Sequence, residues 1–388
     1  MVQAVDVSLS GMFDYTARRE RFSEQLAAKG ADAAFLPISS DLEYLTGLRR
    51  AIPNFGNVSY AHGWVAGCFL RPGTDAIFIV PRMYAEFDME EQAPGELVVV
   101  RETDDGEAMF TTVARKLGPV HTLAVGARTW AEAVIHLQAA LGSPRLLSAE
   151  PLVNQLRRVK SPQELEVMTR AAAICDETMG AVTGSVHAGV FMEELVEEVE
   201  HEMRSRRSLT PSFTTHIFTG GLEDRRESRS PSAGRPLRDG EAVLFDFGAV
   251  LDGYCSDFGR TIFCGEPTAQ YVRAYAAMLA AQEAGRAAAR PGVTCAEVNR
   301  ACRAPIEDAG YGPYFRHRMG HGIGLDVHER PFISEEDDTP LEPGMTFTDE
   351  PSIIWKGRLG VRIEDVLVCE EDGGRKLNSY PADLVATG

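Results

Sequence analysis

Acidic side chains set inside otherwise apolar, strand-like segments constrain this chain more than any other feature. Asp246 follows Ala-Val-Leu-Phe and precedes Phe-Gly, Glu350 closes Met-Thr-Phe-Thr-Asp before Pro351, and Glu364 closes Gly-Val-Arg-Ile before Asp-Val-Leu-Val. Segments of this composition read as half-buried strands. An unpaired carboxylate in such a place is unfavourable. The fold must therefore gather these acids around something that neutralises them. Asp246 and Asp257 flank Asp252-Gly253, a dipeptide that favours a tight hairpin turn. Two antiparallel strands joined there bring both carboxylates to one place. His321, between Gly320 and Gly322, completes a set of five donors.

Each residue taken alone has a plainer reading. An Asp beside a hairpin commonly forms the turn or stays solvated, a histidine in a Gly-rich turn commonly caps backbone groups, and Arg362 commonly serves as an ion-pair partner. Together the donors point to metal. Four carboxylates and one imidazole exceed the three protein ligands and a water of a catalytic zinc site, whereas bridging carboxylates let two divalent ions share one. Two such ions, about 3.5–4 Å apart, activate a water near neutral pH and polarise a carbonyl, which is the chemistry of amide hydrolysis. The oxygen-rich shell lacks thiolate and suits Mn(II), with Co(II), Zn(II) and Fe(II) as further candidates.

The strings DFG(x)8DFGRT, HRMGHGIGLDVHE, FTDEP and GVRIED resemble the pita-bread metallopeptidase family of methionine aminopeptidase, aminopeptidase P, prolidase and the metal-free creatinase. The resemblance implies that Asp246, Asp257, His321, Glu350 and Glu364 hold two metal ions, with Asp257 and Glu364 bridging. His317, His328 and Arg362 match the branch of prolidase and aminopeptidase P. There His317 and Arg362 would stand around the substrate, and His328 would contact the scissile carbonyl or the tetrahedral intermediate. In chemical terms His328 donates to a developing oxyanion, Glu350 shuttles a proton to the leaving nitrogen, and Arg362 orients a metal-binding acid. The implied activity is hydrolysis of an Xaa-Pro bond through a metal-bridging hydroxide. Two alternatives stay open: a hydrolase or lyase of a small non-peptide substrate on the same fold, and an inactive peptidase-like binding protein.

One departure from that family stands out. A histidine about seventeen residues before the first metal-binding Asp is expected, and Ser228 and Arg229 occupy that place. His216, in FTTHIFTGG, is the histidine upstream in this region, and the sequence leaves open whether it reaches the site. Arg225, Arg226 and Arg229 suggest an acidic substrate or a carboxylate clamp, although a solvated basic loop is the plainer reading.

The chain divides near residue 155. Before it, DAAFLPI, AIFIV, ELVVV and TLAVG read as buried strands alternating with helices over ARRERFSEQLAAKG and WAEAVIHLQAALG. Residues 1–155 are thus expected to form an α/β domain, and SSDLEYLTGLR resembles the N-terminal domain of creatinase and prolidase. Residues 156–388 are expected to form an α+β pita-bread domain with a curved antiparallel sheet. Ser161, Pro162 and Glu164 make a capping box for its first long helix, MEELVEEVEHEMRSR and AQYVRAYAAMLAAQEAGRAAA read as two more, and Thr294 with Glu297 caps a fourth. The resemblance further implies a homodimer in which the first domain covers the partner's active site. Tyr60, His62 and Trp64 would line that pocket, with plain core as the other reading.

Composition narrows the partners. A net charge of −18 disfavours nucleic acid and anionic membranes, which are bound through clustered Lys and Arg. The expected partner is a small peptide or other small molecule. Seven cysteines without a CxxC pair fit reduced thiols. No export signal or long apolar span is visible, so the expected location is cytoplasmic.

Overall fold

The turn at Asp252-Gly253 forms as its residue types dictate. Both residues have positive φ, 50° and 83°, the geometry of a two-residue hairpin whose twist matches that of its strands. The turn joins Val250–Leu251 to Tyr254–Cys255. Beyond it, Ala242–Phe247 continues antiparallel to Phe258–Cys264, with Phe247 opposite Phe258 and Asp246 opposite Gly259. This is a computed structural model in which residues 12–50, 60–89, 93–220 and 235–387 are described.

The chain separates into two compact units at Arg157/Arg158. The first holds a six-stranded sheet in the order Glu96–Val100, Ile77–Pro81, Gly67–Leu70, Ala33–Pro37, Thr122–Val125, Arg145–Ser148. Gly67–Leu70 runs antiparallel to both neighbours and the remaining pairs are parallel. Phe35, Phe69 and Phe110 form its aromatic centre. Trp64 belongs to this packing: its ring lies 5.0 Å from Phe110 and stacks on His136 at 4.5 Å. Tyr60 donates its hydroxyl to Asp88 at 2.8 Å.

In the second unit, capping sets the helices where expected. Ser161 and Glu164 close a capping box on Pro162–Val182, and Thr294 and Glu297 close one on Cys295–Asp308. Met192–Ser205 and Ala269–Ala288 complete two helix pairs. Alternation along Ala242–Phe247 sends Val243, Phe245 and Phe247 into a core with the first pair, and Ala242 and Leu244 into a core with the second. Both faces of this strand are therefore buried, and Asp246 falls on the side of Leu244.

Two ladders make up the sheet of this unit. A four-stranded ladder, Val385–Thr387, Phe258–Cys264, Ala242–Phe247, His216–Gly220, contains one parallel pair. A separate five-stranded antiparallel ladder carries Gly320–Gly322, Glu329–Ile333, Thr346–Asp349, Asp365–Glu370 and Gly373–Lys376. The bridge between Gly259 and Glu364 links the two. Glu350 and Glu364 also lie just outside strands rather than within them, after Thr346–Asp349 and before Asp365–Glu370. Leaving the ladder frees their side chains to converge.

Candidate metal centre

Sheet register assembles the site. His216 pairs with Asp246, Asp246 with Gly259, and Gly259 with Glu364. Residues paired in this way project from one face, and Asp257, two residues before Gly259, shares it by alternation. Gly259 leaves room in that row. A Cβ there would lie 2.9 Å from Glu364 Cβ, 3.1 Å from its Oε2 and 3.2 Å from Arg362 Cδ.

His321 enters from the second ladder, where the register shifts between His321 and Gly322. Its Nδ1 lies 3.1 Å from Gly322 O. A carbonyl only accepts, so Nδ1 carries the proton. That leaves Nε2 facing Asp257 Oδ2 at 3.5 Å and Glu350 Oε1 at 3.3 Å. Ligand atoms of Asp257, His321 and Glu364 lie within 4.8 Å of one another, all buried. Asp257 Oδ1 and Glu364 Oε2 are buried without a hydrogen-bond partner among the described residues. Buried carboxylate oxygens gathered beside an imidazole nitrogen fit a divalent cation.

Electrostatics tells the same story. Burial, reinforced by Asp257, Glu350 and Asp246, pushes Glu364 well above the usual carboxylate range. Burial lifts Asp246 to about 7 despite Arg362 beside it. Burial alone would raise Glu350, but His321, His317, Arg362 and Arg318 hold it below its ordinary value. For His321 burial acts downward, yet Asp257 and Glu350 win and raise it. Protons thus occupy positions that a metal ion would claim. Binding the ion requires the carboxyl of Asp246 to ionise. Mn(II) uptake by metal-free protein is therefore expected to weaken as the pH falls through about 7, read by titration calorimetry. An affinity flat from pH 8 to 6 would contradict it.

The flanking residues take distinct positions. His328 is exposed at the edge of the site, with its ring 4.1 Å from that of His321, and partial desolvation together with His321 lowers its pKa. It stands neutral at pH 7, able to donate one N–H. Arg362 pairs with Asp246 rather than with Glu364. His317 uses both ring nitrogens on protein groups, Nδ1 toward Arg318 O at 2.6 Å and Nε2 toward the Ser352 hydroxyl, and burial lowers its pKa. His216, left open by sequence, lies directly across from Asp246. Arg225, Arg226, Ser228 and Arg229 lie outside the described residues.

Sequence reasoning missed Arg260 and Asp365. The Arg260 guanidinium, 3% exposed, donates to Asp365 Oδ1 at 2.6 Å and to the backbone oxygens of Glu364, Gly259, Tyr380 and Pro381. It fixes the backbone on both sides of the Gly259–Glu364 bridge. The signal was present, because Arg260 follows Gly259 and Asp365 follows Glu364 in strands buried on both faces, where a charge demands a partner.

Residues 166–371 match the model of metallopeptidase family M24, and residues 18–159 match the creatinase/prolidase N-terminal domain. The chain belongs to metallopeptidase family M24. This M24 chain is 30% identical to the Xaa-Pro dipeptidase of Pyrococcus furiosus over 82% of its own length and 89% of that protein's. It superposes on the prolidase from Thermococcus sibiricus with a TM-score of 0.86 at 28% identity, covering 97% of this chain and 100% of that one. For the Xaa-Pro dipeptidase from Bacillus anthracis the TM-score is 0.83 at 28% identity, with 96% and 100% covered. The M24 chain is a peptidase with a creatinase-type N-terminal domain and a pita-bread C-terminal domain, in a family that uses divalent metal ions.

Proposed function

We propose that this protein hydrolyses Xaa-Pro peptide bonds with two divalent ions held by Asp246, Asp257, His321, Glu350 and Glu364. The observation that carries the metal reading is the convergence of buried ligand atoms of Asp257, His321 and Glu364, with Asp257 Oδ1 and Glu364 Oε2 lacking a hydrogen-bond partner among the described residues. Likeness to Xaa-Pro dipeptidases carries the substrate. When bound, the ions supply an activated water and polarise the scissile carbonyl. Manganese is the proposed occupant, because four of the five donors are carboxylates and none is a thiolate.

The protein's own groups do the rest. Neutral His328 donates to the oxygen that gains charge as the bond breaks. Glu350, held ionised by its neighbours, takes a proton and passes it to the leaving nitrogen. Arg362 keeps Asp246 oriented. His317 meets substrate by exchanging the Ser352 hydroxyl for a substrate group. We further propose that residues 156–388 carry catalysis, that residues 1–155 cover the site of the partner in a homodimer, and that the protein works in the cytoplasm. No helix among the described residues is long and apolar enough to cross a membrane.

The test strips the purified chain with chelator, reloads it with Mn(II), and assays Xaa-Pro dipeptides and Xaa-Pro-Yaa tripeptides while counting bound metal. Cleavage that disappears with chelator and returns with Mn(II) is expected. Two ions bound with no Xaa-Pro peptide cut would reject the substrate. His328→Ala is expected to lower kcat by about 10²–10³, as loss of one oxyanion donor does, with bound metal unchanged. His216→Ala, at the row's open edge, is expected to raise KM several-fold with kcat within about twofold, roughly what losing one contact to an uncharged group gives. An unchanged KM would take His216 out of the site.

A further inference from the structure

The start of helix Pro162–Val182 makes buried contacts that the metal chemistry does not use. Lys160 and Glu329 form an ion pair at 3.3 Å, their side chains 2% and 3% exposed. A charge pair so deeply buried is unfavourable unless geometry and further hydrogen bonds compensate. Here Glu329 Oε1 accepts from Asp326 N at 3.0 Å, and Lys160 N donates to Gly344 O at 2.9 Å. Gly324 is moulded to the pair: a Cβ there would lie 2.9 Å from both Lys160 Cε and Glu329 Oε1.

The same helix start reaches a second loop. Glu164 accepts from Ser161 N through Oε2 and from the Tyr254 hydroxyl, at 2.7 Å, through Oε1. Cys255 N donates to Gly324 O at 2.7 Å. The turn that leads to Asp257 and the loop Gly324–His328 are therefore tied to each other and to one helix start. Glu329 directly follows His328.

We propose that the Lys160–Glu329 pair is a positioning device for His328, holding its loop so that the imidazole stays against His321. This rests on His328 as the oxyanion donor. A donor carried on a loop is effective only if its own supports leave it one geometry. An apolar contact tolerates sliding, whereas a buried, hydrogen-bonded ion pair has one good arrangement. The charges thus fix the loop's register where packing alone would leave slack.

The experiment is a double-mutant cycle on the Mn(II)-loaded full chain. Lys160→Met is expected to lower kcat on an Xaa-Pro dipeptide by about 10–100-fold, the usual effect of a supporting partner, with KM and bound metal unchanged. In a His328→Ala background the same change is expected to matter by less than about twofold, since the two act through one group. Equal losses in both backgrounds would overturn the proposal, as would no loss in either. Removing one partner of a buried pair can unfold a protein, so Lys160→Met/Glu329→Met is measured alongside. It is expected to keep the parental thermal midpoint and the low kcat; recovered kcat would count against the proposal. Ring NMR signals of His328 in zinc-loaded protein supply a readout independent of activity. Lys160→Met is expected to move them and leave those of exposed His187 in place. Unmoved His328 signals would reject the clamp, whereas a parent that cuts no Xaa-Pro peptide would reject only the proposed substrate.

Discussion

Asp257→Asn is expected to lower turnover by about a thousandfold or more and to reduce bound metal. An amide in place of the carboxylate removes the anionic charge and leaves an NH2 or a single carbonyl oxygen toward the ions. Each ion contributes several kcal/mol of transition-state stabilisation, and about 1.4 kcal/mol is a factor of ten in rate. Asp257 is 4% exposed and sits where His321 Nε2 and Glu364 also converge, so no water can readily replace its lost oxygen. Metal analysis and single-turnover rates on one sample decide the matter. Full occupancy with full turnover would remove Asp257 from the ligand set.

Arg260→Met is expected to destabilise the second unit by about 3 kcal/mol. Arg260 offers its donors to one carboxylate and four backbone oxygens, and Asp365 lies entirely inside the protein. Breaking a buried pair from one side costs about 3–5 kcal/mol. Lys376 and Gln282 still donate to Asp365, at 2.7 and 2.9 Å, which places the expected loss near the lower figure. At roughly 2–4 °C per kcal/mol for a unit of this size, the thermal midpoint should fall by about 6–12 °C. Calorimetry of metal-free protein isolates this from any loss of bound metal. A midpoint within a degree of the parent would mean that the backbone at the Gly259–Glu364 bridge holds without the guanidinium.

Much of this was legible beforehand because it is local. The capping boxes at Ser161 and Thr294, the Asp252-Gly253 turn and the strands of the first unit each follow from residue types within a few positions. The convergence of Asp257, His321 and Glu364 was legible for a different reason: charges in apolar strands have few arrangements that satisfy them. What escaped was long-range and depended on register. That His216 lies abreast of Asp246 requires knowing how two strands slide past each other. That Arg362 chooses Asp246, and that Arg260 grips the backbone of Glu364, requires the meeting of segments a hundred residues apart. Glu350 and Glu364 read as strand residues because their neighbours are, and only the folded ladder shows the chain leaving it there.

The row His216, Asp246, Gly259, Glu364 also governs which changes of length the gene can tolerate. Side chains alternate strictly along a strand, so one residue inserted between Asp246 and the turn would rotate Asp246 out of the row, into the opposite core. Two inserted residues would restore its side while shifting it one step along. Natural or engineered insertions between Phe245 and Phe258 should therefore be scarce, and those that survive should come in pairs or be absorbed as a bulge. The spacing of the two aspartates is thus a ruler: the distance between them changes in even steps unless a bulge takes up the odd residue.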